Sequence, residues 1–259
     1  VENRVGAGGI IASDAVARAT PDGYTILFSP SGVMVINPTM VKSLPFSPTK
    51  DFAPIALVAT FPLIVSVNAN LPVKTVADLV AWLKANPGKS NCGGSGPTFQ
   101  LAVNLLTSKT GTECTFITYK SSNEVAQALM TGDLHFTLVD TGPVFPALQG
   151  GKVRALAVTT PQRDPAVPNI PTVGEAGFPE LDMRFWMGLF APAATPTAIV
   201  KRLEAETQKI VKLPDVVKAI HAKQAAPADM NGEQLAKFIA VEIERYDAVR
   251  KAAKIPQVD

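Results

Sequence analysis

The middle of the chain, roughly residues 70–185, is built from short apolar runs that alternate with segments of helical period. The pattern predicts strands over 114–120 and 134–140 and helices over 98–111 and 121–132. Strands and helices in regular alternation are typical of units in which parallel strands pair and helices cover the faces of the sheet. The sequence therefore predicts an α/β fold with a mostly parallel sheet.

Several predicted helices begin at recognisable capping residues. Thr75 with Asp78, and Ser121 with Glu124, have the spacing of a capping box, in which side chain and backbone groups satisfy each other. Beyond residue 195 the sequence predicts three more helices: one over 198–212 capped by Thr195 or Thr197, one over 214–223, and one from Asn231 to about Lys251. Further strands are predicted over 22–29, 52–67 (one or two strands), 153–160 and the start of 185–196.

Charge and hydropathy exclude two classes of partner. The 24 Lys and Arg residues nearly balance the 22 Asp and Glu residues, and no basic run is interleaved with aromatics, so we expect no binding of nucleic acid. The most apolar stretch, 52–67, is too short to span a bilayer and is interrupted by Pro54 and Pro62.

No signal peptide is visible and the chain starts at Val1, so we expect a processed or truncated sequence.

The stretch "SNCGGSGPTFQL" (90–101) raises the question of a catalytic or nucleotide site. It lacks the spacing and the lysine of a phosphate loop, and "GAGGIIASD" (6–14) has Ile11 where a dinucleotide loop would have its third glycine. A nucleophilic Cys92 would need a base, but the sequence has only His135 and His221, and His135 alternates with apolar residues on a predicted strand. A cysteine-dependent hydrolase is therefore a minor alternative, and we expect no cofactor and no metal.

The two cysteines, Cys92 and Cys114, lie at the starts of two successive predicted strands. These strands could be neighbours in the sheet, so we favour a disulfide between the two cysteines, which would indicate an oxidising compartment. The alternative is a pair of buried thiols.

Three predicted strands are each followed by small polar residues and a helix start, in "GSGPT", "YKSSNE" and "VDTGPV". The carboxyl ends of parallel strands meet at one edge of a sheet, where open α/β sheets bind ligands. Free amide groups and the helix dipole make a helix start attractive to anions. Ordinary capping explains each turn singly, but three together favour a cleft for a small anion.

A series of segments along the chain, in their order, resembles the Bug family, the TctC-like extracytoplasmic solute-binding proteins of tripartite tricarboxylate transporters. The matching stretches span nearly the whole chain and include "VENRVGAGG", "LPFSPTKDFAPIALVAT", "LPVKTVADLVAWLKANPGK", "GKVRALAVTTPQRDPAVPNIPTVGEAGFPELD" and "FWMGLFAPAATPTAIVKRL". The resemblance implies a periplasmic-binding-protein type II fold, with two α/β lobes and a ligand cleft between them. It assigns 1–66 plus 190–259 to lobe 1 and 67–189 to lobe 2.

The same resemblance implies a function without catalysis, in which a small organic carboxylate is captured in the periplasm and delivered to membrane transporter subunits. We expect a monomer. A ligand-sensing protein that signals to a membrane sensor is an alternative, because it would use the same lobes.

Family members hold carboxylates mainly through backbone amides, hydroxyls and waters. Carried over by position, the residues implied to face the cleft are Ser29, Ser31 and Gly32 from the first lobe, and Ser95, Gly96, Thr98, Tyr119, Ser121, Asp140, Thr141 and Gly142 from the second. Phe185 and Trp186 lie where the chain returns between lobes and either wall the ligand or pack in the core.

The sequence departs from the family pattern in two ways. Family members usually have a strand, a glycine-rich turn and a helix before the "VENR" segment, and that turn supplies part of the carboxylate clamp; lobe 1 is therefore expected to lack this unit. The family also usually has glycine at the position of Ser121, whose hydroxyl would donate to a ligand or narrow the pocket.

Overall fold

A computed structural model of the chain describes residues 1–4, 6, 9–164, 167–252 and 254–257. The helices are α1 Ile10–Ala17, α2 Asn37–Met40, α3 Val76–Ala85, α4 Pro97–Thr110, α5 Ser122–Thr131, α6 Thr141–Gln149, α7 Thr197–Ile210, α8 Pro214–His221 and α9 Gly232–Ala252. The strands are β1 Leu27–Pro30, β2 Phe52–Asn68, β3 Asn91–Gly94, β4 Thr115–Thr118, β5 Phe136–Asp140, β6 Val153–Val158, β7 Arg184–Pro192 and β8 Ala226–Pro227. Gly8 of the 6–14 glycine stretch lies outside the described residues.

The chain divides into two compact units. Unit 1 comprises Val1–Thr60 and Trp186–Asp259, and unit 2 comprises Phe61–Phe185. Both boundaries fall inside long strands, β2 and β7, whereas the lobe boundaries expected from the resemblance lie a few residues further along each strand.

Unit 2 contains a mixed sheet, so the prediction of a mostly parallel sheet was wrong in part. Strand β3 pairs in parallel with β4 on one side and β5 on the other, as the βαβ pattern predicts. Strand β2, however, runs antiparallel to both β5 and β6 and is therefore inserted between them. The pattern of apolar residues within each segment does not predict this insertion, because the paired strands are far apart in sequence.

The loops and helix starts of unit 2 are tied by specific hydrogen bonds. Thr75 and Asp78 form the predicted capping box at α3: the Asp78 amide donates to the Thr75 hydroxyl at 3.0 Å, and the Thr75 amide donates to the Asp78 carboxylate at 3.0 Å. Arg154 on β6 donates to the carbonyl oxygens of Ala69, Leu71 and Val73 at 2.7 to 3.1 Å. These bonds provide hydrogen-bond donors for the backbone carbonyl groups of the loop that follows β2.

Unit 1 packs around antiparallel strands. Strand β1 runs antiparallel to β7, and β8 pairs antiparallel with β2. Phe52 and Phe190 are buried, with their ring centroids 6.2 Å apart in an edge-to-face arrangement. The predicted strand over 22–29 is shorter than expected, since β1 begins only at Leu27 and Tyr24 is fully exposed.

The two long helices of unit 1 begin differently. The predicted cap of α7 at Thr195 or Thr197 was wrong: Pro196 is the N-cap residue and no side chain caps the helix. A proline there presets the backbone dihedral at the helix entrance without a capping side chain. At α9 the prediction is confirmed, because the Gln234 amide donates to the Asn231 carbonyl oxygen Oδ1 at 2.9 Å.

Gly232 at the start of α9 lies tightly against unit 1's β2. Its amide donates to the Glu204 carboxylate at 2.8 Å, and a Cβ atom at this position would lie 2.2 Å from the Pro54 carbonyl oxygen. Only glycine allows this approach of α9 to the strand. Among the described residues, no helix is long and apolar enough to cross a membrane.

Candidate functional site

The candidate site of unit 2 is built at the junction of β3 and α4, where the glycine-rich stretch lies. A Cβ atom on Gly93 would lie 2.9 Å from the Ile117 carbonyl oxygen, and one on Gly94 would lie 2.5 Å from the Phe99 Cβ atom. These glycines therefore permit close packing within the protein. Gly96 has a φ of 107° and is the N-cap residue of α4, so it makes the turn that starts this helix.

Cys92 and Cys114 form a disulfide, which confirms the pairing favoured from the sequence and removes Cys92 as a nucleophile. Strands β3 and β4 are adjacent and Cys92 lies opposite Phe116, so Cys114, one residue before β4, is close enough to Cys92 for the bond. His135 accepts a hydrogen bond from the Asn91 amide at 2.9 Å, and its ring lies 5.3 Å from that of Trp82. The histidine is thus packed and hydrogen-bonded, as expected.

Three helix starts follow the carboxyl ends of three adjacent parallel strands, in the spatial order β5, β3, β4. Helix α4 follows β3, α5 follows β4 and α6 follows β5. The first amide groups of each helix have no partner within the helix, and the dipoles place positive partial charge at the same ends. This confirms that the three polar turns lie at one edge of a parallel set of strands.

A chain of hydrogen bonds links these three turns. The Ser122 hydroxyl, on the first residue of α5, donates to the Asp140 carboxylate at 2.8 Å. The Ser95 and Ser122 hydroxyl oxygens are 3.0 Å apart. Ser95 lies between β3 and α4, and Asp140 ends β5, so the chain spans all three turns.

Asp140 is a partly buried carboxylate at the start of α6. Burial raises the pKa of Asp140 above its ordinary value of 3.8, although the hydrogen bond from Ser122 acts in the opposite direction. Among the described residues, no cation forms an ion pair with Asp140. Within the part of the chain that the structure describes, the carboxylate is therefore stabilised by the Ser122 hydroxyl and by its own backbone amide.

The other predicted residues of unit 2 have mixed surroundings. The Ser121 hydroxyl caps α5 by accepting from the Glu124 amide at 3.3 Å, and the Thr141 hydroxyl is buried and donates to the Pro62 carbonyl oxygen at 3.3 Å. Thr98 is nearly buried in the first turn of α4, and Gly142 lies in the first turn of α6.

Two aromatic residues of unit 2 lie near these turns in sequence. Burial, together with the negative charge of Asp133, raises the pKa of Tyr119, whose amide donates to the Gly94 carbonyl oxygen at 3.0 Å. Phe185 is partly exposed, and its ring lies 5.5 Å from that of Phe61.

The residues predicted in unit 1 are more buried. Ser29 ends up inside β1, and the Ser31 hydroxyl accepts from the Trp186 amide at 3.3 Å; both side chains are about 1% exposed. Gly32 begins a π-helical turn, Gly32–Ile36. The Trp186 side chain is fully buried against Phe238, so it packs in the core, one of the two roles left open by the sequence.

Sequence reasoning missed Ser122. The capping-box pattern drew attention to Ser121, whose hydroxyl is turned back to its own helix. The next serine is the one that reaches the neighbouring turns. Two successive serines at a helix start were the available signal. Within the described ranges, no group of three or more His, Cys, Asp or Glu side chains is arranged to hold a metal ion.

Comparison with known proteins identifies the family. Residues 1–255 match the family described as "Tripartite tricarboxylate transporter family receptor" (TctC). The chain belongs to the TctC family. This confirms the resemblance seen in the sequence, and it assigns the chain to a family of extracytoplasmic receptors rather than enzymes.

Individual TctC-type proteins are similar over almost the whole chain. Protein BugT of Bordetella pertussis is 31% identical over 96% of this chain and 77% of its own length. The structure of R. palustris Rpa4515 with adipate has a TM-score of 0.85 and 32% identity, covering 99% of this chain and 87% of that one. MatC of Rhodopseudomonas palustris, with bound malate, has a TM-score of 0.80 and 30% identity, covering 96% and 86% respectively. These similarities confirm the periplasmic-binding-protein type of α/β fold.

Proposed function

We propose that this TctC receptor binds a small organic carboxylate at the starts of α4, α5 and α6, in the periplasm and as a monomer, and delivers it to the membrane subunits of a tripartite transporter. The observation that carries the proposal is the convergence of three helix starts at the carboxyl ends of adjacent parallel strands. Solved relatives with adipate and malate support carboxylates as the ligand class.

The chemistry of the three turns favours a carboxylate over a more highly charged anion. The first amide groups of a helix have no partner within the helix, and together with the helix dipoles they provide hydrogen-bond donors and partial positive charge without a full cation. Asp140 adds a negative charge to the same turns. A phosphate dianion would be repelled more strongly than a carboxylate, so the turns suit a ligand group with a single delocalised negative charge.

The disulfide supports a location outside the cytoplasm. Disulfides form and persist in the periplasm and in secreted proteins, and they are rare where thiols are kept reduced. The Cys92–Cys114 bond is therefore consistent with a receptor that acts outside the cytoplasm and delivers its ligand to a membrane transporter.

Calorimetric titration with mono-, di- and aromatic carboxylates tests ligand binding. We expect saturable binding of at least one compound and weaker binding, by roughly three- to tenfold, in Thr98→Val, which removes a hydroxyl from the first turn of α4. Thr107→Val is the matched control, because its hydroxyl donates to the Asn104 carbonyl oxygen at 3.2 Å, near the other end of the helix. Calorimetry without saturable binding of any carboxylate would contradict the proposal.

Delivery is tested separately from binding. Deleting the gene and measuring uptake of the identified ligand should reveal a loss of transport. If uptake is unchanged while ligand-dependent gene induction is lost, the protein signals to a membrane sensor instead.

A further inference from the structure

The direction of the hydrogen bonds in the Ser95–Ser122–Asp140 chain determines what the three turns offer a ligand. A serine hydroxyl has one hydrogen to donate. The Ser122 hydrogen is committed to the Asp140 carboxylate, so the hydrogen between the two serines must come from Ser95. Both hydroxyl hydrogens therefore point along the chain towards Asp140. What remains at its ends is acceptor capacity, on the Ser95 oxygen and on the Asp140 carboxylate.

The charge of Asp140 strengthens this preference. The carboxylate is partly buried, and no cation among the described residues is paired with it. An ionised carboxylate makes strong hydrogen bonds to donors but repels a second carboxylate. The turns thus combine two kinds of group. Backbone amides at the helix starts suit a carboxylate, whereas the Ser95–Ser122–Asp140 chain, whose ends accept hydrogen bonds, suits a hydroxyl or an ammonium group.

We infer that Asp140 is a specificity residue that makes the receptor select carboxylates with a hydroxyl or ammonium substituent over unsubstituted ones. The carboxylate of such a ligand binds the amides of a helix start, and its substituent donates to Asp140 or Ser95. An unsubstituted ligand adds no donor to Asp140 beyond Ser122, so the remaining acceptor capacity of the carboxylate stays unused where the ligand displaces water, and this lowers affinity.

This inference rests on the proposed function and narrows it. Family membership leaves the ligand class open, because one solved relative has adipate, an unsubstituted dicarboxylate, and another has malate, a hydroxydicarboxylate. The Ser95–Ser122–Asp140 chain distinguishes between these two classes for this protein.

The test is calorimetric titration of the protein with matched ligand sets that differ in one substituent. The sets are succinate, malate and aspartate; glutarate, 2-hydroxyglutarate and glutamate; and propionate, lactate and alanine. In the set that binds, we expect the hydroxyl or ammonium compound to bind about tenfold or more tightly than the unsubstituted one. In Asp140→Asn the amide oxygen can still accept from Ser122, but the amide nitrogen donates, so this preference should be lost and the unsubstituted acid should bind more tightly than to the wild type.

Two further variants distinguish the effect of the Asp140 charge from a general change in charge and from the loss of a serine hydroxyl. Glu113→Gln removes one negative charge from an exposed position just before β4, at the opposite end of that strand from Ser122, and should keep the wild-type preference. Ser122→Ala keeps the Asp140 carboxylate and should also keep the sign of the preference, although overall affinity changes. Circular dichroism checks that each variant is folded.

The outcomes separate this inference from the proposed function. If no carboxylate in any set binds the wild type, the proposed function fails. If unsubstituted acids bind as tightly as substituted ones, or if folded Asp140→Asn retains the preference, the inference is overturned while carboxylate binding stands.

Discussion

Loss of the Cys92–Cys114 disulfide should cost unit 2 a calculable amount of stability. The two cysteines are separated by 22 residues, and closing a loop of that length lowers the entropy of the unfolded chain. The loop-closure relation gives a stabilisation of about 3 kcal/mol at 25 °C. We therefore expect the double variant Cys92→Ala/Cys114→Ala to unfold with a free energy lower by about that amount.

Urea unfolding followed by tryptophan fluorescence provides the assay. The chain has two tryptophans, and in a Trp186→Phe background Trp82 is the one remaining reporter; it lies in unit 2, against His135. Reduction of the parent with dithiothreitol should reproduce the loss, whereas the double variant should not respond to reductant. A difference below about 1 kcal/mol between the variant and the oxidised parent, or a parent that is indifferent to reductant, would refute the loop-entropy reasoning.

Three other substitutions have defined outcomes. Gly232→Ala should lower the free energy of unfolding by about 2 kcal/mol, because its Cβ would lie 2.2 Å from the Pro54 carbonyl oxygen; Gly174→Ala, whose Cβ would meet only ordinary contacts, is the control in the same urea titration. Thr75→Ala removes the α3 cap and should cost about 1 kcal/mol, and an unchanged urea midpoint would count against the cap. Because burial raises the pKa of Asp140, its ionisation opposes folding: this penalty is absent below the ordinary pKa of 3.8 and grows as pH rises through the folded-state pKa. Asp140→Asn should therefore be more stable than the parent at pH 7 and no more stable at pH 3, and equal stability gains at both pH values would contradict the linkage.

Local signals in the sequence predicted local structure well. The caps at Thr75, Ser121 and Asn231 were recognisable because a capping interaction involves residues three apart. At α7 the same reasoning failed, since the threonines beside Pro196 suggested a side-chain cap that the helix does not have.

Long-range features required the structure. Strand β2 lies between β5 and β6, and the periodicity of the sequence cannot predict this pairing because the strands are far apart along the chain. Ser122 could not be chosen over Ser121, because its role depends on partners contributed by two other turns. The disulfide was an intermediate case: the placement of both cysteines at strand starts indicated a pair, but the adjacency of β3 and β4 decided it.

The central claim is that the helix starts of unit 2 bind the carboxylate. Amide chemical shifts, followed during a ligand titration, test this claim most directly. On the ¹⁵N-labelled protein, titrated with the tightest-binding carboxylate of the matched sets, we expect saturable shifts concentrated at the amides of Gly96, Thr98, Ser122 and Gly142. Amides at the far ends of the same helices, such as that of Thr107, serve as the internal comparison. Saturable binding that leaves the helix-start amides unshifted would contradict the account.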